Sequence, residues 1–591
     1  MNKQGVAVLN NHISLSKLQI YLLIIYLLPL ALILWFIASF SVNVPVGDQF
    51  ALISFFDKIA TGNVNFKDFF YQHNEHRIFF PRIIFLILAF TSNWQIKIEL
   101  YFSLFLAIFN FCAIYKIAAI SQKERNILFH SFNILTCVLT FSLVQNENWL
   151  WGFQVSWFLI NTCVILSVLL LSLTNTWSTS IKLTLAALCC FIASFSSAHG
   201  LFSWLAVIPS VASVEGNTKS SKIRLLLWIS FFIISCAFYS IGYHKPGHHP
   251  DTLFFFKEPL AAISYLLTII GTPVGKLFLP RMISGLIILF SFIFFNVYYI
   301  YNYKSKFAYD LAPWLSIGWF ASFFALITTV GRAGFGIEQA SSSRYTTVMI
   351  LLIISCLQMW RLLIYHRQEW FSKNNYLRLG SYLLVGILAV NFITGSTSAI
   401  ANGRATWLDR SRGKTCLEII HFFNKSISES PDNCLKFIFP DPALVISSAE
   451  TLQKLGFRHF PRDIAFIAEP TKIHGYVDIS PKTDQLLTLS RNGSVTLAGW
   501  AILPDSSQQP NLVLLSHGNN QSFFASAVVN IDSSDVANNL KSNRYKKSGW
   551  QANIYPKSIP LGETVIKAWV YNQEQKQFVK LSGESKIKVV E

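Results

Sequence analysis

The chain has 591 residues, of which 52% are hydrophobic, 15% aromatic and only 13% charged, with a formal net charge of +18. A soluble domain carries about 25% charged residues, so this composition excludes an ordinary soluble enzyme and points to a polytopic membrane protein. The surplus Lys and Arg gather at the ends of apolar runs, the positive-inside pattern, so the basic balance does not imply a nucleic-acid partner.

The first apolar run, 17–40, has 24 residues (KLQIYLLIIYLLPLALILWFIASF). A signal-peptide core is about 7–15 residues, so the run reads as a retained span with Lys3 and Lys17 on the cytoplasmic side. Runs of spanning length, about 20 residues, recur near 97–120, 126–144, 151–173, 181–198, 200–214, 223–242, 282–302, 312–330, 346–366 and 379–398, which predicts eleven spans. With the N-terminus inside, the cytoplasmic loops hold Lys123 and Arg125; Lys182; Lys219, Lys222 and Arg224; Lys304 and Lys306; and Arg367, Lys373 and Arg378. Every such loop is basic. The segment 251–275 would invert this parity if it crossed, so it reads as an interfacial or re-entrant piece of the outer face.

The expectation is therefore a multi-pass α-helical protein of the plasma (inner) membrane with its C-terminal domains extracytoplasmic. Residues 1–400 form the transmembrane domain, with a first outer loop at 42–96. Residues 401–483 read as an extracytoplasmic, mostly helical region, with ALVISSAETLQKLGF as one helix. Residues 484–591 read as a small β-sandwich, a candidate glycan binder, from short strand-like runs such as SVTLAGWAIL, NLVLLSH and TVIKAWVYN between Gly, Pro, Asn and Ser. Seven of the nine Cys fall in apolar runs, whereas Cys416 and Cys434 lie in the external region and are candidates for a disulfide.

The outer loops depart from membrane filler. The first contains GDQFALISFFDKIATGN and YQHNEHRIFFPRII; later ones give QNENWLWGFQ, SSAHG, YHKPGHHPD and GRAGFGIEQASSSRY. Carboxylates and amides bond sugar hydroxyls, aromatic faces stack on pyranose rings, and Arg grips phosphate bidentately. Asp48 stands at the end of the first span and reads as a general base for an acceptor hydroxyl, or as an N-cap of the helix that follows. Glu75, His76 and Arg77 read as substrate contacts or, nearly as well, as helix caps and surface hydrogen bonds; a metal at HNEHR is disfavoured by the short ligand count. Arg332 and Arg344 flank a Gly-rich outer loop and read as a clamp on a donor phosphate, against a simple lipid-headgroup anchor. Glu147 reads as a polar contact in the same site. Lys276 and Arg281 are weaker candidates, Trp149 and Trp151 read as an aromatic belt, and His248, His249 and Asp251 as a hydrated loop tip.

The order of these features resembles the GT-C class of membrane glycosyltransferases, and in layout the lipid A aminoarabinose transferases and protein mannosyltransferases. Asp48 opens the first outer loop, ALISFFDKIATGN resembles the first juxtamembrane helix ending in Gly62, and HRIFFPRIIFLILAFTSNWQIKIELYFS resembles the second, with Pro81 near its start, running into the next span. The layout covers residues 17–400 and the motif match 45–100. Those families often carry an Asp-Glu pair, whereas Gln49 follows Asp48 here. Gly499-Trp500-Ala501 resembles the "GWA" sandwiches appended to some bacterial envelope glycosyltransferases.

The resemblance implies a glycosyltransferase that takes a sugar from a polyprenyl-phosphate donor and passes it, with inversion, to an envelope glycan or lipid-linked acceptor; no cofactor is expected, a divalent metal being disfavoured because Gln49 leaves one acid where those families often have two. The rival readings are a transporter or flippase of a lipid-linked glycan, which should line its spans with charge, and a non-catalytic envelope scaffold.

Overall fold

The computed structural model describes residues 17–174, 177–214, 218–247, 249–274, 278–303, 305–367, 375–430, 433–478 and 486–591. His248, Lys276, Lys304 and Lys373 lie outside the described residues, as does the N-terminus with Lys3. Among the described residues, eight helices are long and apolar enough to cross a membrane: Lys17–Phe40, Ile96–Ser121, Ile127–Leu150, Gly152–Ser172, Ser221–Ser240, Leu279–Tyr301, Lys306–Phe335 and Ile337–His366. At 1.5 Å per residue, the 24-residue first helix is roughly 36 Å long, enough for a hydrocarbon core of about 30 Å.

These eight coincide with eight of the eleven predicted spans. Two others, at 181–198 and 200–214, are the shorter apolar helices Thr179–Ser194 and Ala198–Ser213. The eleventh, 379–398, lies inside one 44-residue helix, Asn375–Glu418, that continues without a break past residue 400. The segment at 251–275 contains another short apolar helix, Pro259–Val274. It packs closely on Phe278–Tyr301 through glycine: a Cβ at Gly271 would come within 2.0 Å of the Arg281 carbonyl oxygen, and one at Gly285 within 2.0 Å of that of Leu267.

By contacts the chain forms two compact units. The first comprises the described residues of Met1–Ser39, Phe70–Pro81 and Leu100–Gly403; the second comprises Phe40–Phe69, Arg82–Glu99 and Arg404–Glu591. The first outer loop is therefore shared out. Asp48 belongs to the second unit, and Glu75, His76 and Arg77 to the first.

In the first unit the helices Lys306–Phe335 and Ile337–His366 are central, with Trp314, Phe320, Met349 and Leu352 fully buried. The apolar side chains of Lys17–Phe40, Ser221–Ser240 and Leu279–Tyr301 are largely exposed (Leu28, Leu226 and Phe290 among them), as expected of surfaces that face lipid. Buried polar groups are used as interhelical ties. Ser210 Oγ lies 2.8 Å from Ser316 Oγ, and Asn161 donates to the Thr347 carbonyl at 3.0 Å. Charge also lies within the candidate spans, where Glu99 of Ile96–Ser121 and Arg361 of Ile337–His366 are both buried. Arg361 is fully buried and donates to Gln358, Gln122 and Ser121.

The second unit carries the strands. After the hairpin strands β1 (Gln72–His73) and β2 (His76–Arg77) of the first unit, the chain forms β3 (Ala465–Ile467), β4 (Gly475–Asp478), β5 (Leu487–Ser490), β6 (Val495–Ala501), β7 (Leu512–His517), β8 (Ala525–Ile531), β9 (Gly549–Ile554), β10 (Gly562–Asn572), β11 (Gln577–Lys580) and β12 (Ser585–Val590). β3 and β4 precede residue 484, so the sheet draws on the region read as mostly helical: β3 pairs with β11 and β4 with β6. The ten strands bond as one ladder rather than two separate sheets. β8 joins its halves, pairing with β7 over its first residues and with β9 at Val529 and Ile531, across a register shift between these two. Period-two alternation gives β7 and β10 two buried faces. Val513, Leu515, Ile566, Ala568 and Val570 enter the main core with Trp550. Leu514 and Trp569 point the other way, against Ile419, Phe422, Ile464, Phe523 and Phe578. Cys416 and Cys434 are disulfide-bonded, with Cα atoms 6.1 Å apart.

Candidate functional site

In the first unit, the sequence HNEH folds as a two-residue hairpin. His73 pairs with His76 across the β1–β2 ladder, and Asn74 takes the left-handed conformation (φ +48°) that such a turn needs. Glu75 thus sits at the turn, and its carboxylate gathers groups from distant loops. Oε1 accepts from Arg332 Nη2 and lies 3.5 Å from His76 Nε2, while Oε2 lies 3.4 Å from His249 Nε2. The pair is largely buried, with the Glu75 side chain 16% and that of Arg332 20% exposed. Burial pushes the Glu75 carboxyl up, but His76 and the Arg332 guanidinium beside it more than reverse this and hold it well below the usual carboxylate range. His76 Nδ1 accepts from the Ala198 N–H at 3.3 Å, and its ring lies 5.6 Å from that of His199, which bonds Thr328 Oγ1 at 3.1 Å. The cluster combines one carboxylate, one guanidinium and three imidazoles, so it can accept an anion or exchange protons. Among the described residues, no group of three or more His, Cys, Asp or Glu is arranged to hold a metal ion.

Arg77 is adjacent in sequence but does different work. Its guanidinium donates to the carbonyls of Phe70 (2.8 Å), Tyr239 (2.8 Å) and Ile241, and its N–H donates to the Tyr239 hydroxyl. It is 7% exposed. Two of those carbonyls belong to the end of the helix Thr218–Ser240, whose last carbonyls lack helical partners. Arg77 therefore caps that helix, and the substrate-contact reading of its side chain is replaced by a structural one. His249, expected at a hydrated tip, is instead at the Glu75 carboxylate with its side chain 8% exposed. Trp149, expected in an aromatic belt, is fully buried and donates to the Ser142 carbonyl at 2.9 Å.

A second group in this unit joins QNEN to SSSRYTT. Glu147 Oε2 accepts from the hydroxyls of Ser342 (3.1 Å) and Ser343 (3.4 Å), and Asn148 donates to the Arg344 carbonyl (2.8 Å) and to Thr347 Oγ1. Gln145 accepts from the same Thr347 hydroxyl at 2.7 Å. Glu147 thus holds the Arg344 loop, while the Arg344 guanidinium lies over the Tyr345 ring at 5.3 Å. The structure brings Glu75, His76 and Arg332 together, and Glu147 with Arg344.

In the second unit, Asp48 lies half-buried in a 3-10 turn, Gly47–Gln49, that leads into the helix Phe50–Ala60. The N-cap of that helix is Gln49, with no side-chain cap bond, so the capping role weighed for Asp48 falls away. Gly47 adopts φ +57°, which only glycine takes readily, and its N–H donates to the Ile438 carbonyl at 2.8 Å. The helix ends at Ala60, with Gly62 at φ +71°. The second loop helix, Phe79–Ser92, carries Pro81 in its first turn but does not run on into the next span. Asn93 and Trp94, at φ +52° and +50°, turn the chain before Ile96–Ser121 begins. A Trp in that conformation costs about 1–3 kcal/mol and is held in place by its surroundings. Its indole N–H donates to Glu99 Oε1 at 2.8 Å, its carbonyl accepts from Arg458 at 3.1 Å, and its ring meets Phe56 and Phe457.

Glu99 and His199 are the functional candidates that sequence reasoning missed. Glu99 is hidden at the start of an apolar run, and its only sequence signal is a carboxylate where a span should begin. No family model, curated protein or solved structure matches the chain.

Proposed function

We propose that this protein is a GT-C-like glycosyltransferase of the membrane, with eleven spans and extracytoplasmic C-terminal domains, which transfers a sugar from a polyprenyl-phosphate donor to an envelope glycan or lipid-linked acceptor. The observation that carries the reading is the assembly of Glu75, His76, His249 and Arg332, drawn from three separate loops of the helical unit. The Nη2 of Arg332 is engaged by Glu75, and its remaining donors suit a phosphate oxygen. Arg344 is the second cation of that clamp. Asp48 accepts the proton of the acceptor hydroxyl as that oxygen bonds the anomeric carbon; the bond to the phosphate oxygen breaks and polyprenyl phosphate leaves, with inversion. The β-rich region orients the acceptor.

The test compares wild type with Asp48→Asn in a deletion strain at matched membrane abundance, with surface glycans profiled by mass spectrometry. Loss of one sugar in the variant supports the reading and identifies the sugar. Full complementation removes Asp48 as base and moves a scaffold or transporter to the front. Arg332→Ala and Arg344→Ala together should weaken donor use, and unchanged donor affinity would remove the clamp.

A further inference from the structure

The residues on either side of Asp48 are fixed by bonds to distant parts of the chain. On one side Gly47 is bonded to Ile438. On the other, Gln49 is 1% exposed, and its amide works in two directions: Oε1 accepts from the Val46 N–H at 2.9 Å, and Nε2 donates to Glu99 Oε2 at 2.6 Å. Glu99 is fully buried, and its other oxygen takes the Trp94 indole N–H at 2.8 Å. The chain Val46–Gln49–Glu99–Trp94 is thus a donor–acceptor relay in which the amide at position 49 both accepts and donates, and both oxygens of Glu99 accept. Position 49 is one Cα–Cα step, about 3.8 Å, from Asp48, so the relay sets where the Asp48 turn stands.

We infer that Gln49 and Glu99 are positioning residues for Asp48, acting through this hydrogen bond. The inference rests on the reading of Asp48 as the base. Gln49→Glu places two carboxylate oxygens at the 2.6 Å separation now bridged by an amide proton. Glu99→Gln leaves one oxygen to serve two donors. In the double exchange the amide at position 99 donates to the carboxylate at 49 and its oxygen still accepts from Trp94, while the carboxylate still accepts from Val46.

The experiment uses full-length protein in native membranes, supplied with a lipid extract of the deletion strain as donor, and reads sugar transfer per folded molecule. A displacement of about 1 Å at a reacting group costs about 100-fold. Each single variant should therefore lose about 100-fold at saturating extract, with the half-saturating extract concentration unchanged. The double variant should recover to within about tenfold of wild type. A purely structural role would lower the amount of folded protein and leave output per folded molecule untouched, which overturns the inference, as does a double variant no better than the singles. Asp48→Asn is run alongside. If it is inactive while the singles match wild type, only the positioning role fails. If it is fully active, the base reading fails and takes the positioning role with it.

Discussion

Arg77 offers the sharpest separation of structural from functional roles, because it stands beside Glu75 and His76 in sequence. Its guanidinium satisfies the carbonyls of Phe70, Tyr239 and Ile241. Arg77→Ala removes all three bonds, at about 1 kcal/mol net each, and a cation at a helix C-terminus worth about 0.5 kcal/mol more. The expected loss is about 3–4 kcal/mol, toward the low end because Ile241 is 67% exposed and water can reach its carbonyl. Arg77→Lys should lose about half as much, since an ammonium keeps the charge but lacks the fork that reaches three acceptors. Equilibrium unfolding in mixed micelles measures both, with membrane abundance as a second readout. A wild-type unfolding curve for Arg77→Ala, within about 0.5 kcal/mol, together with loss of sugar transfer, would refute the capping role and return Arg77 to the substrate.

Two further outcomes follow from the same reasoning. The Glu75 carboxyl is held below its ordinary range in the folded state, so its contribution is fully present above about pH 4.3 and is lost as pH falls through the depressed folded value. Glu75→Gln should therefore be less stable than wild type at pH 7, with the two melting midpoints converging under acid; parallel curves down to the lowest accessible pH would rule out the ion pair as the cause. The Cys416–Cys434 disulfide spans a sequence separation of 18, for which loop closure predicts about 3 kcal/mol. Cys416→Ser with Cys434→Ser should raise protease sensitivity of the β-rich region accordingly, and wild type treated with reductant should match it. Indifference to both would show that the bond contributes nothing.

The sequence by itself determined what depends on local composition. About twenty mostly apolar residues in a membrane must satisfy their backbone bonds internally as helix, and among the described residues eight helices long and apolar enough to cross one stand where the runs are. The first loop helix, its stop at Gly62 and the Pro81 start of the second were also legible, because caps and φ-restricted residues act over three or four positions. The alternating runs after residue 484 announced strands, although not that β3 and β4 would join them, since a strand of three or four residues carries too little periodicity to read.

Only the tertiary structure decided which polar residues meet. HNEHR allowed a capping role but did not name its partners: Glu75 meets Arg332 and His249, while Arg77 caps a helix more than 160 residues away. Nothing local to Asp48-Gln49 marked Glu99 as the partner of that turn, because the bond joins residues 50 positions apart. Side-chain networks of this kind are fixed by the packing of whole elements. A buried carboxylate must take its donors from whatever those elements bring to it, and the sequence around the carboxylate does not name them.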